Sequence, residues 1–176
     1  MAGKITVIGS ANADLVIHSD KMPELGETIT GSNFQINAGG KGLNQAVAIA
    51  KLGGNVSFLG AVGNDANGQM LTDTLYANGV SYKGITAEQI PTGIAMITVV
   101  DGNNFIILDP GANYALTPEI IEQHSASIAE SDFCVMQLEI PLESVMKVCE
   151  IATKKDTKVI LNPAPFRFLP DALLSQ

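Results

Sequence analysis

Apolar runs of strand length and stretches of helical period take turns along this chain. Lys4-Ile5-Thr6-Val7-Ile8 is a short β-branched run ended by Gly9-Ser10-Ala11-Asn12, which predicts a buried strand emptying into a loop. Residues 14–18 and 28–36 alternate loosely around the turn Pro23-Glu24-Leu25-Gly26 and predict strands outside the main core, placed to form a flap. After the Gly-rich Ala38-Gly39-Gly40-Lys41-Gly42, the apolar Leu43, Ala46, Val47 and Ala50 keep helical spacing until Gly53-Gly54 stops them. Residues 55–62 predict the next strand, and residues 69–78 a helix with Met70, Leu71 and Leu75 on one side and Gly79 at its end.

The second half continues the pattern. Residues 92–100 and 104–108 are β-rich and flank Asp101-Gly102, a hairpin signal. Thr117-Pro118-Glu119 predicts a helix start with Thr as N-cap and Pro at the first helical position. Residues 131–138, 141–153 and 158–161 then predict strand, helix and strand, and a further helix begins near Leu169. Strand–helix alternation at this spacing implies a parallel sheet with helices on both faces, and the hairpins that interrupt it should lie off that sheet as a small separate β element. Such a sheet binds its ligand at the carboxyl ends of its strands, which makes residues 9–14, 137–139 and 162 candidates for one crevice.

Composition narrows the partners. At 176 residues and 46% hydrophobic, the chain can build one sizeable core without internal repeat, low-complexity tract or linker. Ten basic against 18 acidic residues give a net charge of −8, which disfavours nucleic acid and anionic lipid as partners. The two cysteines, Cys134 and Cys149, sit in apolar stretches without metal-ligand spacing and are expected to be buried thiols in a reducing compartment. The start does not read as a signal peptide and no apolar segment is membrane-spanning, so a cytoplasmic location is expected. His18 lies in an apolar strand-like run and His124 within an amphipathic helix, both read as structural, and neither a nucleophilic triad nor a zinc site has support.

The polar residues at the expected crevice carry the candidate chemistry, each with a plain structural alternative. In Gly39-Gly40-Lys41-Gly42-Leu43-Asn44, glycines allow close backbone approach, a helix N-terminus offers N–H donors and Lys41 adds a cation, which suits an oxygen-rich ligand; a Gly-rich turn entering a helix explains it equally well. It is neither a P-loop, because Gly42 stands where Ser or Thr should follow Lys41, nor the dinucleotide glycine pattern. Asn12 and Asp14 could partner sugar hydroxyls or form an Asx turn. Asp65 reads as the cap of the following helix; Glu139, just before Pro141, is either a helix-start acid or a site residue, and Asn162, between an apolar strand and Pro163, poses the same choice.

Taken together, these segments resemble the ribokinase-like, or phosphofructokinase-B-type, carbohydrate kinases over nearly the whole chain. The first signature of that family matches Gly39-Gly40-Lys41-Gly42-Leu43-Asn44-Gln45-Ala46, continuing to Gly53 and Gly63. Around it stand, in family order, Gly9-Ser10-Ala11-Asn12-Ala13-Asp14, Gly60-Ala61-Val62-Gly63-Asn64-Asp65, Gly111-Ala112-Asn113, Gln137-Leu138-Glu139-Ile140-Pro141 and Asn162-Pro163-Ala164-Pro165. The resemblance implies a three-layer α/β/α sheet with a small β lid from about residues 12–37 and 92–109, residues 1–176 being the N-terminal part of one domain truncated at the C-terminus. It implies ATP-dependent phosphorylation of D-ribose, with another sugar or a nucleoside as the alternative substrate. Asn12, Asp14, Gly40, Lys41, Asn44 and Glu139 match sugar-contacting positions, Ala95 and Ile97 match apolar lid residues, and Asn162 matches a nucleotide-side position. Magnesium with ATP, an activating potassium ion and a homodimer formed through the lid strands are implied as well. The second family signature, Gly-Ala-Gly-Asp with its catalytic base, does not occur in these residues, so the chain alone is expected to bind sugar without turning it over.

Overall fold

In the computed structural model, which describes residues 3–174, the apolar run at the start becomes β1 (Lys4–Ile8), the centre of a five-stranded parallel sheet. It is flanked by β4 (Asn55–Leu59) and β10 (Phe133–Met136), with β6 (Ser81–Tyr82) and β11 (Lys158–Leu161) at the edges. Side chains alternate across a strand, so Val7 and Ile8 enter different cores. Val7, Val56 and Phe58 pack with Leu43 and Ala46 of α1 (Lys41–Lys51) and with Leu71 and Leu75 of α2 (Ala66–Ala77). Ile8 and Met136 pack on the opposite face with Ile121 of α3 (Pro118–Gln123), Ile128 of α4 (Ser125–Ala129), and Val145, Val148 and Cys149 of α5 (Leu142–Lys154). Both cysteines are buried free thiols, and burial raises the pKa of each. The layers are therefore helix, sheet, helix, and α6 (Asp171–Leu174) closes the described chain.

The interrupting hairpins form a second sheet. It is ordered β3 (Ser32–Gly39), β2 (Asn12–His18), β8 (Gly93–Val100), β9 (Asn103–Asp109), with β2 antiparallel to β3 and parallel to β8. Asp101 at φ 48° and Gly102 at φ 75° are both left-handed, the geometry of a two-residue hairpin loop that matches strand twist. Asp65 caps α2 as expected, accepting from Gly68 N at 2.8 Å, and also accepts from Thr92 N at 2.8 Å and Thr92 Oγ1 at 2.7 Å, which anchors the base of the lid to the core.

Several expectations are corrected. The single strand expected over residues 55–62 breaks at Gly60 into β4 and β5 (Ala61–Gly63), and β5 pairs with β7 (Ile85–Ala87) in a separate two-stranded sheet. A Cβ at Gly60 would lie 2.6 Å from the Phe58 ring and 2.8 Å from Gly9 O, so the chain turns where only hydrogen fits. The second lid strand begins at Ser32 rather than 28, and α2 begins at Ala66 rather than 69 because Asp65 starts it. His124 is a break between α3 and α4 rather than a helix interior position, and Thr117 makes no side-chain capping bond. Asn12 and Asp14 do not form an Asx turn, since both lie within β2, opposite Gly39 and Asn37 of β3.

Candidate functional site

The pleat of the lid sheet sorts its residues into rows. Asn37, Asp14, Ala95 and Leu108 are aligned across the four strands, as are Gln35, Val16, Ile97 and Ile106 two positions on. The intervening row of Ile36, Leu15, Met96 and Ile107 takes the other face. Asp14, Ala95, Ile97, Ile106 and Leu108 line a cavity of about 160 Å³ that Asn12, Gly40, Lys41, Asn44 and Glu139 complete from below. Every residue matched to a sugar-side position thus borders one space, while Asn162 lies elsewhere, exposed in the loop after β11 with its N–H donating to Met136 O at 2.9 Å.

The floor is assembled by a close fit between the β1–β2 loop and the start of α1. Gly40 adopts φ 90° and ψ 138°, and a Cβ there would stand 2.8 Å from Ala11 Cα and Asn12 N. Both the conformation and the contact require glycine. Leu43 N donates to Ser10 O at 2.9 Å, seating the helix N-terminus on the loop. Glu139 arrives three residues past the end of β10 and is gathered into the same cluster. Lys41 Nζ donates to its Oε1 at 2.6 Å, and Ser10 Oγ at 2.6 Å and Lys41 N at 3.2 Å donate to its Oε2. Next to it Gln137, fully buried, donates from Nε2 to Gln45 Oε1 and fills the space that a side chain at Gly9 would need.

These contacts separate the two carboxylates. Burial would raise the pKa of Glu139, but the donors on Lys41 and Ser10 outweigh it and hold the group below its ordinary value. Asp14 has no such donors, so burial first and the neighbouring Glu139 charge second raise its pKa against the partial relief from Lys41. Removing the Lys41 ammonium would cost about 1.5–3 kcal/mol, the range for a hydrogen bond to a charged group. The larger penalty of a fully buried pair does not apply because the Lys41 side chain is 39% exposed.

The apolar Ala95, Ile97, Ile106 and Leu108 share the cavity with two amides, two carboxylates and an ammonium, an arrangement that fits a small polyol presenting both hydroxyls and C–H groups. Ile106 and Leu108 were absent from the expected site. The signal for them was the Asp101-Gly102 turn, whose two-residue loop places Ile106 opposite Ile97 and Leu108 opposite Ala95. Ser10 was likewise not singled out, because a serine in a loop announces no role until its acceptor is known. Among the described residues no group of three or more His, Cys, Asp or Glu side chains could hold a metal ion, and no helix is long and apolar enough to cross a membrane.

A family profile described as pfkB family carbohydrate kinase matches residues 2–175. The chain is 45% identical to a ribokinase of Haemophilus influenzae over 177 residues, covering 99% of this chain and 58% of that protein. It is 43% identical to a ribokinase of Bacillus subtilis, covering 93% of this chain and 56% of that protein. The chain therefore spans little more than half the length of these relatives. A solved structure of Arabidopsis thaliana ribokinase complexed with ribose and ATP superposes with a TM-score of 0.90 at 34% identity, covering 99% of this chain and 58% of that one.

Proposed function

Because the chain belongs to the pfkB family of carbohydrate kinases, we propose that it supplies the sugar-binding half of an ATP-dependent sugar kinase that converts D-ribose to D-ribose 5-phosphate. The observation that carries this reading is the single cavity shared by Asn12, Asp14, Lys41, Asn44 and Glu139 beneath the apolar Ala95, Ile97, Ile106 and Leu108. Asp14 and Glu139 would accept from sugar hydroxyls, Lys41, Asn44 and Asn12 would donate to them, and Gly40 would let the backbone approach the ring. The lid strands would exclude water from the hydroxyl to be phosphorylated, which favours transfer to sugar over hydrolysis. Relatives named ribokinase and the ribose-bound Arabidopsis enzyme support this choice of sugar.

ATP supplies the phosphoryl group in this reading, with magnesium as its companion and potassium as an activator. The described residues do not themselves build that site: no metal-holding cluster is present among them, and Asn162 is the sole nucleotide-side match. No step is assigned to those groups in this chain. Residues 1–176 are read as the N-terminal part of one longer domain, resident in the cytoplasm. A homodimer is assigned to the outer lid row, where Ile36, Met96 and Ile107 are exposed.

A second reading, sugar binding without transfer by the 176 residues alone, is favoured by the commitment of Glu139 to Lys41 and Ser10, which leaves it no role as a base. The test is incubation of the purified chain with D-ribose, magnesium-ATP and potassium, measuring ribose 5-phosphate alongside ribose binding. Saturable binding without product is expected. Turnover would overturn the second reading, and absence of binding would overturn both.

A further inference from the structure

Asn113 is 1% exposed and does not border the cavity, yet it carries the densest set of hydrogen bonds beside it. It stands in the 3₁₀ turn Gly111–Ala115, shortly after lid strand β9. Its Oδ1 accepts from Ala11 N at 2.8 Å. Its Nδ2 faces three oxygens, Asn12 Oδ1 at 2.7 Å, Pro110 O at 2.9 Å and Ala11 O at 3.2 Å. Backbone groups cannot exchange donor for acceptor, so Ala11 and Pro110 fix which end of the Asn113 carboxamide is oxygen and which is nitrogen.

That assignment passes to Asn12. Turning the Asn12 carboxamide over would set its NH₂ against the NH₂ of Asn113, two donors facing each other where both side chains are almost wholly buried. With Oδ1 turned toward Asn113, the donor Nδ2 is the end of the Asn12 carboxamide left for the cavity that it lines. The fit leaves no slack: a Cβ at Gly93, the residue opposite Asn12 on β8, would fall 2.4 Å from both Asn113 Nδ2 and Asn12 Oδ1.

We propose that Asn113 is a positioning residue that locks the polarity of Asn12, so that the cavity offers a donor at this point and never an acceptor. Asp14, when ionised, offers only acceptors two residues along the same strand face. Ligand hydroxyls satisfy this directional pair by accepting from Asn12 and donating to Asp14, whereas an ether or carbonyl oxygen satisfies only the first. The turn that holds Asn113 follows β9, so Asn12 is oriented only when that end of the lid is seated on the core. That the ligand is a sugar rests on the proposed function; the orientation of Asn12 does not.

The test has two arms. In the unmodified chain, NMR should detect a scalar coupling across the hydrogen bond from Asn113 Nδ2 to the Asn12 carboxamide carbon, and its absence, with Asn113 side-chain protons exchanging as in an exposed asparagine, would overturn the proposal. In the second arm, Asn113→Asp keeps the acceptor for Ala11 N but replaces the donor, which turns Asn12 over. Ribose affinity should fall about tenfold, the loss of one well-made hydrogen bond. The same substitution made on Asn12→Ala should change affinity less than twofold, because Asn113 then has nothing to orient. An equal loss in both backgrounds would mean a merely structural residue and would overturn the proposal. If the unmodified chain binds no ribose, the sugar assignment fails, and the coupling alone decides the role of Asn113.

Discussion

At the residue scale the site is governed by which carboxylate receives donors. Glu139 is held ionised by Ser10 and Lys41, while Asp14 is left with burial and a like-charged neighbour. Replacing Lys41 with Met removes the favourable partner of both, so both carboxyl groups should titrate at higher pH, which a ¹³C-carboxyl NMR titration would read. Unchanged titration would mean that the Lys41 contact is not maintained in solution. The raised pKa of Asp14 also sets a pH dependence. Sugar hydroxyls need its ionised form as acceptor, so ribose affinity should be full above that pKa and fall as pH drops through it. The Asp14→Asn variant should bind weakly at every pH, without the acid limb. Asn12, Asp14, Lys41, Asn44 and Glu139 could be picked from the sequence because amides, carboxylates and an ammonium clustered at strand ends and a helix start. Ser10 and Asn113 could not, because each acts through a partner about 100 or more positions distant in the chain.

Among the elements, the junction of α1 with the β1–β2 loop is the most constrained. At Gly40, φ 90° with ψ 138° and a Cβ position 2.8 Å from Ala11 Cα leave alanine two sources of strain. Gly40→Ala should destabilise the chain by about 1–3 kcal/mol, the range for backbone held in a region that only glycine populates freely. Chemical denaturation would measure the loss, and a neutral result would show that the junction can relax. The long periodic elements were legible: α1, α2, α5 and the β8–β9 hairpin follow from apolar spacing and from Gly53 and Asp101-Gly102 as stops and turns. The short β5, β6 and β7 were not. With two or three residues each they carry too little period to register; β5 and β7 pair apart because Gly60 turns the chain out of the main sheet, while β6 is a two-residue edge of that sheet beside β4.

For the whole molecule the question is what meets the exposed apolar surface. The outer lid row runs Ile36, Leu15, Met96 and Ile107 across four strands, with Ile107 74% exposed. Edge strand β11 adds exposed Val159 and Ile160, followed by Phe166 and Phe168. Surface of this kind associates in water. Sedimentation should show a concentration-dependent larger species, and Met96→Glu with Ile107→Lys should shift it toward monomer if the lid is the contact; persistence would assign association to the β11 edge instead. Helix–sheet alternation made the layered core legible, but the pairing of β2 with β8 joins segments about 80 residues apart and follows from no local pattern. The lid's place over the helix start is what turns scattered polar residues into a cavity. Calorimetric titration of D-ribose into the purified chain at neutral pH tests that cavity most directly. Saturable binding of one ribose per chain, strongly weakened in Asp14→Asn and in Glu139→Gln while their melting temperatures hold, is the expected result. No saturable heat from a chain that unfolds cooperatively would contradict the sugar site.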